Sequence, residues 1–334
     1  MTRHEEKSIE ATRLATPGGL EVNLLNLGAT LQSIKVPTSN GAVEVLQGYP
    51  DIEDYRDNRS YFGSTIGRYA GRISDARFTL NGKRYELDRN DPEHGHCLHG
   101  GSRGFNSHFW SQTVDDGGQW VNYETVSEDG DQGFPGRLEV ETRYSLAGPM
   151  SLQIDYRARA DRDTVLNLTN HAYFNLNGDG SCIENHEVWI NSDLYLPLKP
   201  DMTPTGDIRA VNGTIFDFRN KVRLADRLGR NKRQLRIAGG YDHFFLLNKA
   251  MKYPAIAATV SSPETGIRAK FYSARPGVQF YTGNHLASPF KHRSGLCMEF
   301  QNAPNAPNVD GFPSPVLEAG QDYHRQLIVE FEAV

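Results

Sequence analysis

Short runs in which apolar and polar residues alternate recur along most of the chain. The clearest predicted hairpin joins residues 78–80 to residues 85–87 through Asn81-Gly82, a pair that tolerates the positive φ angles of a two-residue turn. Two longer runs, 138–146 and 152–160, alternate residue by residue. Because a period of two places apolar side chains on one face of a strand, the pattern predicts antiparallel strands with one buried face.

Helical periodicity is scarce in this sequence. Residues 221–228 predict one short helix that ends at Gly229. There is no low-complexity linker, no long block of like charge and no repeat of fixed period. These features predict an all-β fold, a large antiparallel β-sandwich with few short helices that forms a single domain over residues 1–334.

The composition narrows the classes of partner. The chain has 334 residues, of which 38% are hydrophobic and 23% charged, as is typical of a globular protein. Lys and Arg number 36 against 41 Asp and Glu, giving a formal net charge of -5. Without a basic excess or basic clusters, neither nucleic acid nor an anionic membrane surface is expected as a partner.

Localisation signals and cysteines point to a cytoplasmic protein. The polar start, residues 1–7, is unlike a secretory signal, and there is no apolar stretch of roughly 20 residues that a membrane helix needs. The three cysteines, Cys97, Cys182 and Cys297, are an odd number and far apart. This spacing argues against a disulfide framework and against a cysteine zinc site.

Common cofactor and nucleophile motifs do not occur. The sequence has no G-x-G-x-x-G after a predicted strand, no phosphate-binding G-x-x-x-x-G-K-[ST] and no G-x-S-x-G elbow. We therefore expect no nucleotide cofactor and no serine hydrolase.

The segment 164–176, TVLNLTNHAYFNL, carries an unusual set of polar side chains. As one continuous strand it would place six residues on one face: Val165, Asn167, Thr169, His171, Tyr173 and Asn175. A face with amide, hydroxyl, imidazole and phenol groups suits a polyhydroxylated ligand. The alternative, a solvated outer face, is the commoner fate of such a pattern.

A second candidate is Glu299, which lies between Met298 and Phe300. Partial desolvation between two large apolar residues would raise the carboxyl pKa and its strength as a base. The alternative is an ordinary outward-facing glutamate on an amphipathic strand.

Three close histidines, His94, His96 and His99, suggest a metal site. The glutamate that a cupin-like site would place shortly after His-x-His is missing, and the glycines after His99 favour a close backbone approach to a ligand. We therefore predict no metal. Asp242, in the Gly-led segment 240–243, is either a ligand-binding carboxylate or a turn-stabilising one.

Taken in series, the motifs of this chain resemble those of the aldose 1-epimerase (galactose mutarotase) family over essentially the whole length. The matching segments, in the family's order, are 67–73 (GRYAGRI), 98–101 (LHGG) with 103–105, 131–136 (DQGFPG), 169–176 (TNHAYFNL), 240–243 (GYDH), 277–284 (GVQFYTGN), 299–301 (EFQ), 304–308 and 312–314. One such motif is weak, but the ordered series is specific and outweighs the alternatives given above.

The resemblance implies a galactose mutarotase-like supersandwich and a cofactor-independent isomerase that interconverts the α and β anomers of free hexoses such as glucose and galactose. It implies Glu299 as the base and His171 as the acid. The substrate-contacting positions that it implies are Arg72, His99, Tyr173, Asp242 and Gln279. Gly71 is also an implied substrate-binding position, and the family usually has asparagine there. His96 stands where the family commonly has asparagine before LHGG.

The chemistry of a cyclic hemiacetal suits this pair. Ring opening needs a base at the C1 hydroxyl and an acid at the ring oxygen, and reclosure needs the reverse roles. The expected partner is a small sugar, bound by a monomer or homodimer. Two alternatives stay open: a non-catalytic sugar-binding or regulatory homologue, and a family variant that acts on another cyclic hemiacetal.

Overall fold

The computed structural model describes residues 7–248 and 254–333. Strands dominate these residues. The first fourteen are β1 Ala11–Ala15, β2 Glu21–Leu25, β3 Thr30–Thr38, β4 Gly41–Glu44, β5 Leu46–Gln47, β6 Thr65–Ile66, β7 Arg72–Ile73, β8 Arg77–Leu80, β9 Lys83–Glu86, β10 Cys97–Leu98, β11 Ser111–Val114, β12 Trp120–Ser127, β13 Leu138–Gly148 and β14 Ser151–Ala160. They are followed by β15 Thr164–Val165, β16 Thr169–Asn170, β17 Tyr173–Phe174, β18 Glu187–Ile190, β19 Leu194–Tyr195, β20 Arg209–Ala210, β21 Val222–Arg223, β22 Asp242–Leu246, β23 Ala255–Ser261, β24 Ile267–Ser273, β25 Gly277–Tyr281, β26 Leu296–Gln301, β27 Val316–Leu317 and β28 Tyr323–Ala333.

Helices are few and short in the described ranges. The α-helices are α1 Ala225–Leu228 and α2 Arg233–Ala238. Short 3-10 helices lie at Ile52–Asp57, Ser74–Ala76, Phe105–Ser107, Asp131–Gly133, Ile183–Asn185 and Ala306–Asn308.

Two large sheets enclose the main core. One has the strand order β11-β12-β13-β14-β28-β24-β23-β18-β21, and the other the order β20-β19-β22-β25-β26-β17-β5. Across the space between them the Phe271 ring lies 5.1 Å from Phe174 and 5.7 Å from Phe300, measured between centroids. Neighbouring strands pair antiparallel. The predicted all-β antiparallel sandwich with few short helices is therefore confirmed.

Local predictions from alternation also hold. The hairpin pairs β8 with β9, and its turn residues Asn81 and Gly82 both have positive φ, 51° and 76°. The longer runs form β13 and β14, with Leu138 paired to Ala160. The helix predicted for residues 221–228 is shorter, because 222–223 form β21 and only α1 is helical before Gly229.

The prediction of one continuous strand over residues 164–176 is wrong. This segment forms three two-residue strands, and each pairs with a different element: β15 with β27, β16 with β6, and β17 with both β26 and β5. Its polar side chains therefore do not share one face. Asn167 and Asn175 bond to backbone carbonyls inside the protein, and only His171 and Tyr173 reach the cavity described below.

In the ranges that the structure describes, no helix is long and apolar enough to span a membrane. The organisation as a single domain over residues 1–334 stays a prediction, and residues 1–6 lie outside the described part of the chain.

Candidate active site

A cavity of about 370 Å³ opens on the face of the seven-stranded sheet that points away from the main core. All eight residues predicted as site residues line it: Gly71, Arg72, His99, His171, Tyr173, Asp242, Gln279 and Glu299. The structure thus brings together side chains that are up to 228 positions apart along the chain, counted from Gly71 to Glu299.

The floor of the cavity is built from three neighbouring strands, β22, β25 and β26. Strand pairing places Gln279 directly opposite Glu299. Along β26 the side chains alternate, so that Met298 and Phe300 enter the core while Glu299 and Gln301 face the cavity. The base candidate is therefore fixed by a central strand with a partner on each side.

The wall opposite the floor is carried by short strands and turns. Strands β7 and β10 pair, with Arg72 opposite Leu98, and His99 follows at a positive φ of 54°. The Gly71 N–H donates to Nδ1 of His99 over 3.2 Å, so a neutral His99 ring carries its proton on Nε2. Nε of Arg72 donates to Asp91 over 2.9 Å, which leaves the terminal nitrogens for a ligand.

His171 is held by its backbone between two strand ends. Its N–H donates to the Ser64 carbonyl (3.0 Å), and its carbonyl accepts from the Gly63 N–H (3.1 Å). The Cys297 sulfur lies 3.6 Å from Nδ1 of the ring. Burial raises the pKa of the Cys297 thiol, so the thiol keeps its proton and can donate it to Nδ1. A neutral His171 ring with that bond carries its own proton on Nε2.

Nε2 of His171 lies 3.8 Å from Oε1 of Glu299, and both side chains are buried. Burial raises the pKa of Glu299 well above its ordinary value, and the nearby Asp242 raises it further, while Arg72 opposes the shift. Burial lowers the pKa of His171 to about 4. Burial thus favours the uncharged pair, with one proton on the carboxyl group and a neutral imidazole.

Asp242 and Gln279 form a hydrogen-bonded pair beside the base. Nε2 of Gln279 donates to Oδ1 of Asp242 over 2.7 Å. This bond orients the amide, whose Oε1 has no partner within the described residues. Asp242 therefore keeps one oxygen, and Gln279 its carbonyl, for the hydroxyl groups of a ligand.

Several buried polar atoms around the floor lack partners among the described residues. They are Oε2 of Glu299, Oε1 of Gln279 and both amide atoms of Gln301. Buried polar groups are nearly always hydrogen-bonded, so such a cluster marks a place where a polar ligand completes the bonding. A polyhydroxylated molecule supplies both donors and acceptors there.

A metal is the other chemistry that the residues permit. His99, His171 and Glu299 each offer one ligand atom within 4.8 Å of the others, a donor set also found in catalytic zinc sites. The histidine cluster considered from the sequence is not this one. His94 lies beside Asp91 (3.3 Å) and His96 bonds to the Asp75 N–H, so only His99 of the three lines the cavity.

Gly71 lies in the wall of the cavity, directly beside Pro304. Its φ is +80°, and a Cβ at this position would lie 3.2 Å from the Cβ and Cγ atoms of Pro304. A side chain here therefore has to displace Pro304 by a few tenths of an ångström or extend into the cavity.

The lining residues that were not predicted as site residues include Tyr61, Phe244 and Gln301. The Tyr61 ring packs 4.8 Å from His99 and 5.8 Å from His171, between centroids. Its segment carries no recognisable motif. Gln301 lies within a recognised motif, and its alternation with Glu299 was a signal that it faces the same side.

A larger cavity of about 1130 Å³ lies elsewhere, over the outer face of the nine-stranded sheet. Its lining includes exposed charged residues such as Glu124, Glu139 and Arg159. No lining residue described there holds a buried polar atom without a partner. Size alone does not make it the better candidate, because the smaller cavity holds the buried titratable pair.

The profile of the aldose 1-epimerase family matches residues 10–330. The chain belongs to the aldose 1-epimerase family. Galactose mutarotase from Sus scrofa is 39% identical over 315 residues, which cover 91% of this chain and 89% of the relative. Aldose 1-epimerase from Escherichia coli strain K12 is 37% identical over 331 residues, covering 96% and 94%.

Solved structures agree with this membership. An aldose epimerase homologue from C. elegans superposes with a TM-score of 0.90 at 28% identity, covering 98% of this chain and all of the other. Galactose 1-epimerase from Lactobacillus acidophilus gives a TM-score of 0.86 at 28% identity, covering 100% of this chain and 97% of the other. The predicted family, the mutarotase-like fold and the class of enzyme, an isomerase, are confirmed.

Proposed function

We propose that this aldose 1-epimerase interconverts the α and β anomers of free hexoses such as glucose and galactose, with Glu299 as the base and His171 as the acid. One observation carries the proposal: Oε1 of Glu299 and Nε2 of His171 lie 3.8 Å apart in a cavity that a hexose can enter. The C1 hydroxyl and the ring oxygen are both bonded to the anomeric carbon, so a base and an acid serving them have to lie close together.

Ring opening moves two protons. The carboxylate of Glu299 takes the proton of the C1 hydroxyl, the imidazolium of His171 gives one to the ring oxygen, and the bond from C1 to the ring oxygen breaks. The open aldehyde rotates about its C1–C2 bond and presents its other face. Reclosure reverses both transfers, so the protein ends each turnover in its starting state. Each positioned group contributes roughly 10²–10⁴-fold.

The charge state that starts this reaction differs from the uncharged pair in the position of one proton. Burial favours protonated Glu299 beside neutral His171. In the reactive state Glu299 is a carboxylate and both ring nitrogens of His171 carry protons, so the added proton lies on Nδ1 beside the Cys297 sulfur. The opposite charges of the carboxylate and the imidazolium attract each other in a low-dielectric site. Arg72 favours the carboxylate, because its charge lowers the pKa of Glu299.

The remaining site residues hold the sugar in register. The terminal nitrogens of Arg72 and Nε2 of His99 are donors for ring hydroxyls or the ring oxygen. Asp242 and Gln279 supply oxygens that accept from hydroxyl groups. Tyr173 and Gly71 shape the walls, and positioning of this kind lowers the entropic part of the barrier.

A second candidate is a family variant that acts on another cyclic hemiacetal, which is favoured by the glycine at position 71 in place of the asparagine usual in the family. A third, a non-catalytic sugar-binding homologue, is less well supported. A protein that only binds sugar has no need of a carboxyl group and an imidazole side by side in a buried site.

Polarimetry of freshly dissolved α-glucose, α-galactose and several other aldoses tests the proposal. We expect the optical rotation to reach equilibrium faster with the protein than in buffer alone. Rates equal to buffer, with binding of the sugar still detected by calorimetry, would support the non-catalytic homologue. Activity confined to a hemiacetal that is not an aldose would support the variant.

The cytoplasmic location and a monomeric or homodimeric state remain proposals from the sequence, as does the lack of a nucleic-acid partner. Analytical ultracentrifugation at micromolar concentration distinguishes the two oligomeric states.

A further inference from the structure

Gln301 is the last residue of β26 and lies two positions after Glu299 on the same face. Its exposed fraction is 0%, and neither its amide nitrogen nor its amide oxygen has a partner among the described residues. The amide nitrogen of Gln279, by contrast, donates a hydrogen bond to Asp242. Gln301 is thus the one glutamine of the cavity lining whose whole amide is unpaired, within the part of the chain that the structure describes.

A buried amide without a hydrogen-bond partner destabilises the fold, because it loses its hydrogen bonds to water on folding and gains none from the protein. A core residue at the same position would more simply be apolar, as Met298 and Phe300 are on the opposite face of the strand. We therefore infer that a ligand supplies the hydrogen-bond partners that the Gln301 amide lacks.

The neighbours of Gln301 isolate its amide in an otherwise apolar end of the cavity. Strand pairing places Gly277 opposite it. A Cβ on Gly277 would lie 2.1 Å from Cζ of Phe244, so the Phe244 ring occupies the space over the glycine. Leu196 and Pro304 also line the cavity. The side chains of Phe244, Leu196 and Pro304 offer no hydrogen bond, whereas the Gln301 amide offers both a donor and an acceptor.

We propose that Gln301 binds a sugar hydroxyl remote from C1 and thereby helps determine specificity; this inference rests on the proposed function. Two residues along a strand span roughly 6.8 Å, so Gln301 lies well beyond the C1 hydroxyl that Glu299 serves. Its amide donates to and accepts from hydroxyl groups, which suits a carbon bearing one hydroxyl or two adjacent ones.

The first test replaces the amide by an apolar group of similar length, Gln301→Met. We expect KM for the preferred hexose to rise roughly tenfold, the loss of about one hydrogen bond, while kcat changes less than threefold. The unfolding temperature should stay the same or rise, because an unpaired buried amide is removed. A lower unfolding temperature with an unchanged KM would show a structural role and overturn the proposal.

A matched control is Gln234→Met. The Gln234 amide bonds to both the N–H and the carbonyl of Leu198, at 2.7 and 2.9 Å. Its removal should lower the unfolding temperature. The pair of variants thus compares a glutamine amide that is satisfied by the protein with one that is not.

The second test identifies the hydroxyl. KM is measured for hexoses deoxygenated at C2, C3, C4 or C6, with the wild-type protein and with Gln301→Met. We expect one deoxygenation to raise KM for the wild type and to have no further effect on the variant, which is the signature of a direct contact. Additive effects at all four positions would refute the contact.

Calorimetric binding separates this inference from the proposed function. A wild-type protein that binds galactose without accelerating its mutarotation would refute the reaction. Equal dissociation constants for the wild type and Gln301→Met would refute the role of Gln301 alone.

Discussion

Two arginines four residues apart in the same motif have opposite surroundings. Arg68 is 2% exposed, and its guanidinium donates to the Ser127 hydroxyl and carbonyl and to the carbonyls of Glu128 and Pro135, at 2.7–3.0 Å. Arg72 reaches the cavity, and its Nε donates to Asp91. Arg68 has its donors satisfied by the protein, whereas Arg72 keeps its terminal nitrogens for a ligand.

This difference shows that burial alone does not separate structural from functional polar residues. Burial lowers the pKa of Arg68 to about 10, with Asp131 opposing the shift, so the group stays charged at neutral pH and ties its segment to the loop 127–135. Glu299 and Gln301 are as deeply buried but have unpaired atoms. What distinguishes the two sets is whether the protein itself supplies the partners.

The largest expected effect is on turnover. Glu299→Gln and His171→Asn should each lower kcat by about 10²–10⁴-fold, because each removes one of two proton-transfer groups. The Glu299→Gln protein should be at least as stable at pH 7, since a raised carboxyl pKa means that ionisation of the buried group opposes folding. Polarimetry and thermal unfolding measure the two effects. Retained activity in either variant would remove that residue from its role.

The arginine comparison is sharpened by two matched substitutions. Arg68→Met should lower the free energy of unfolding by about 3 kcal/mol or more, because it leaves several buried carbonyls unpaired. Arg72→Met should mainly lower kcat/KM. Urea unfolding and polarimetry on both variants provide the measurement. Equal losses of stability in the two would contradict the division into structural and ligand-binding arginines.

Acid should destabilise the fold through buried histidines of both regions. Burial lowers the pKa of His171 in the cavity and of His186 outside it to about 4, from 6.5. Since the unfolded chain binds more protons between these values, the free energy of unfolding should fall as the pH drops from 6.5 towards 4. The slope is at most about 1.4 kcal/mol per pH unit for each histidine. A urea midpoint that is flat from pH 7 to pH 4.5 would contradict this.

A smaller effect is expected from Gly71→Asn. Asparagine tolerates the positive φ better than most residues, but Pro304 has to yield slightly. The added amide should change the ratio of kcat/KM values among aldoses by roughly tenfold, more than it changes the maximal rate. An unaltered sugar profile would show that the side chain at 71 does not meet the substrate.

The smallest effect is expected from chelators. Incubation with EDTA should leave the mutarotation rate unchanged, because the acid and base roles proposed for His171 and Glu299 need no ion. Inhibition that added zinc reverses would instead show that His99, His171 and Glu299 hold a metal.

Much of the fold could be predicted because alternation reports directly on which face of a strand is buried. The β8–β9 hairpin and the β13–β14 pair follow from it. Alternation does not report a change of partner along the chain, so the three short strands in 164–176 were read as one. Helix α2 was missed because six residues give too short a periodicity, although Gly239 ends it with a φ of 69°.

The ordered motifs indicated which residues line the cavity. They did not indicate which groups these residues form hydrogen bonds with. The sequence could not show that Arg68 is satisfied by carbonyls of a distant loop and that Gln301 is unpaired. Both properties depend on contacts between residues that are far apart along the chain, and the local sequence around Arg68 or Gln301 does not report them. Tyr61 was missed for the same reason, since its ring is placed against His99 by the fold.

Glu299, the proposed base, and the opposite wall of the cavity are anchored very differently. Glu299 lies on β26, which has β25 on one side and β17 on the other, while Arg72 and His99 are carried by a two-residue ladder and a glycine-rich turn. A protein engineer who wishes to retarget this scaffold can therefore graft new sequences onto the turn side. The sheet side would keep Glu299 and Gln279 in place through such redesign.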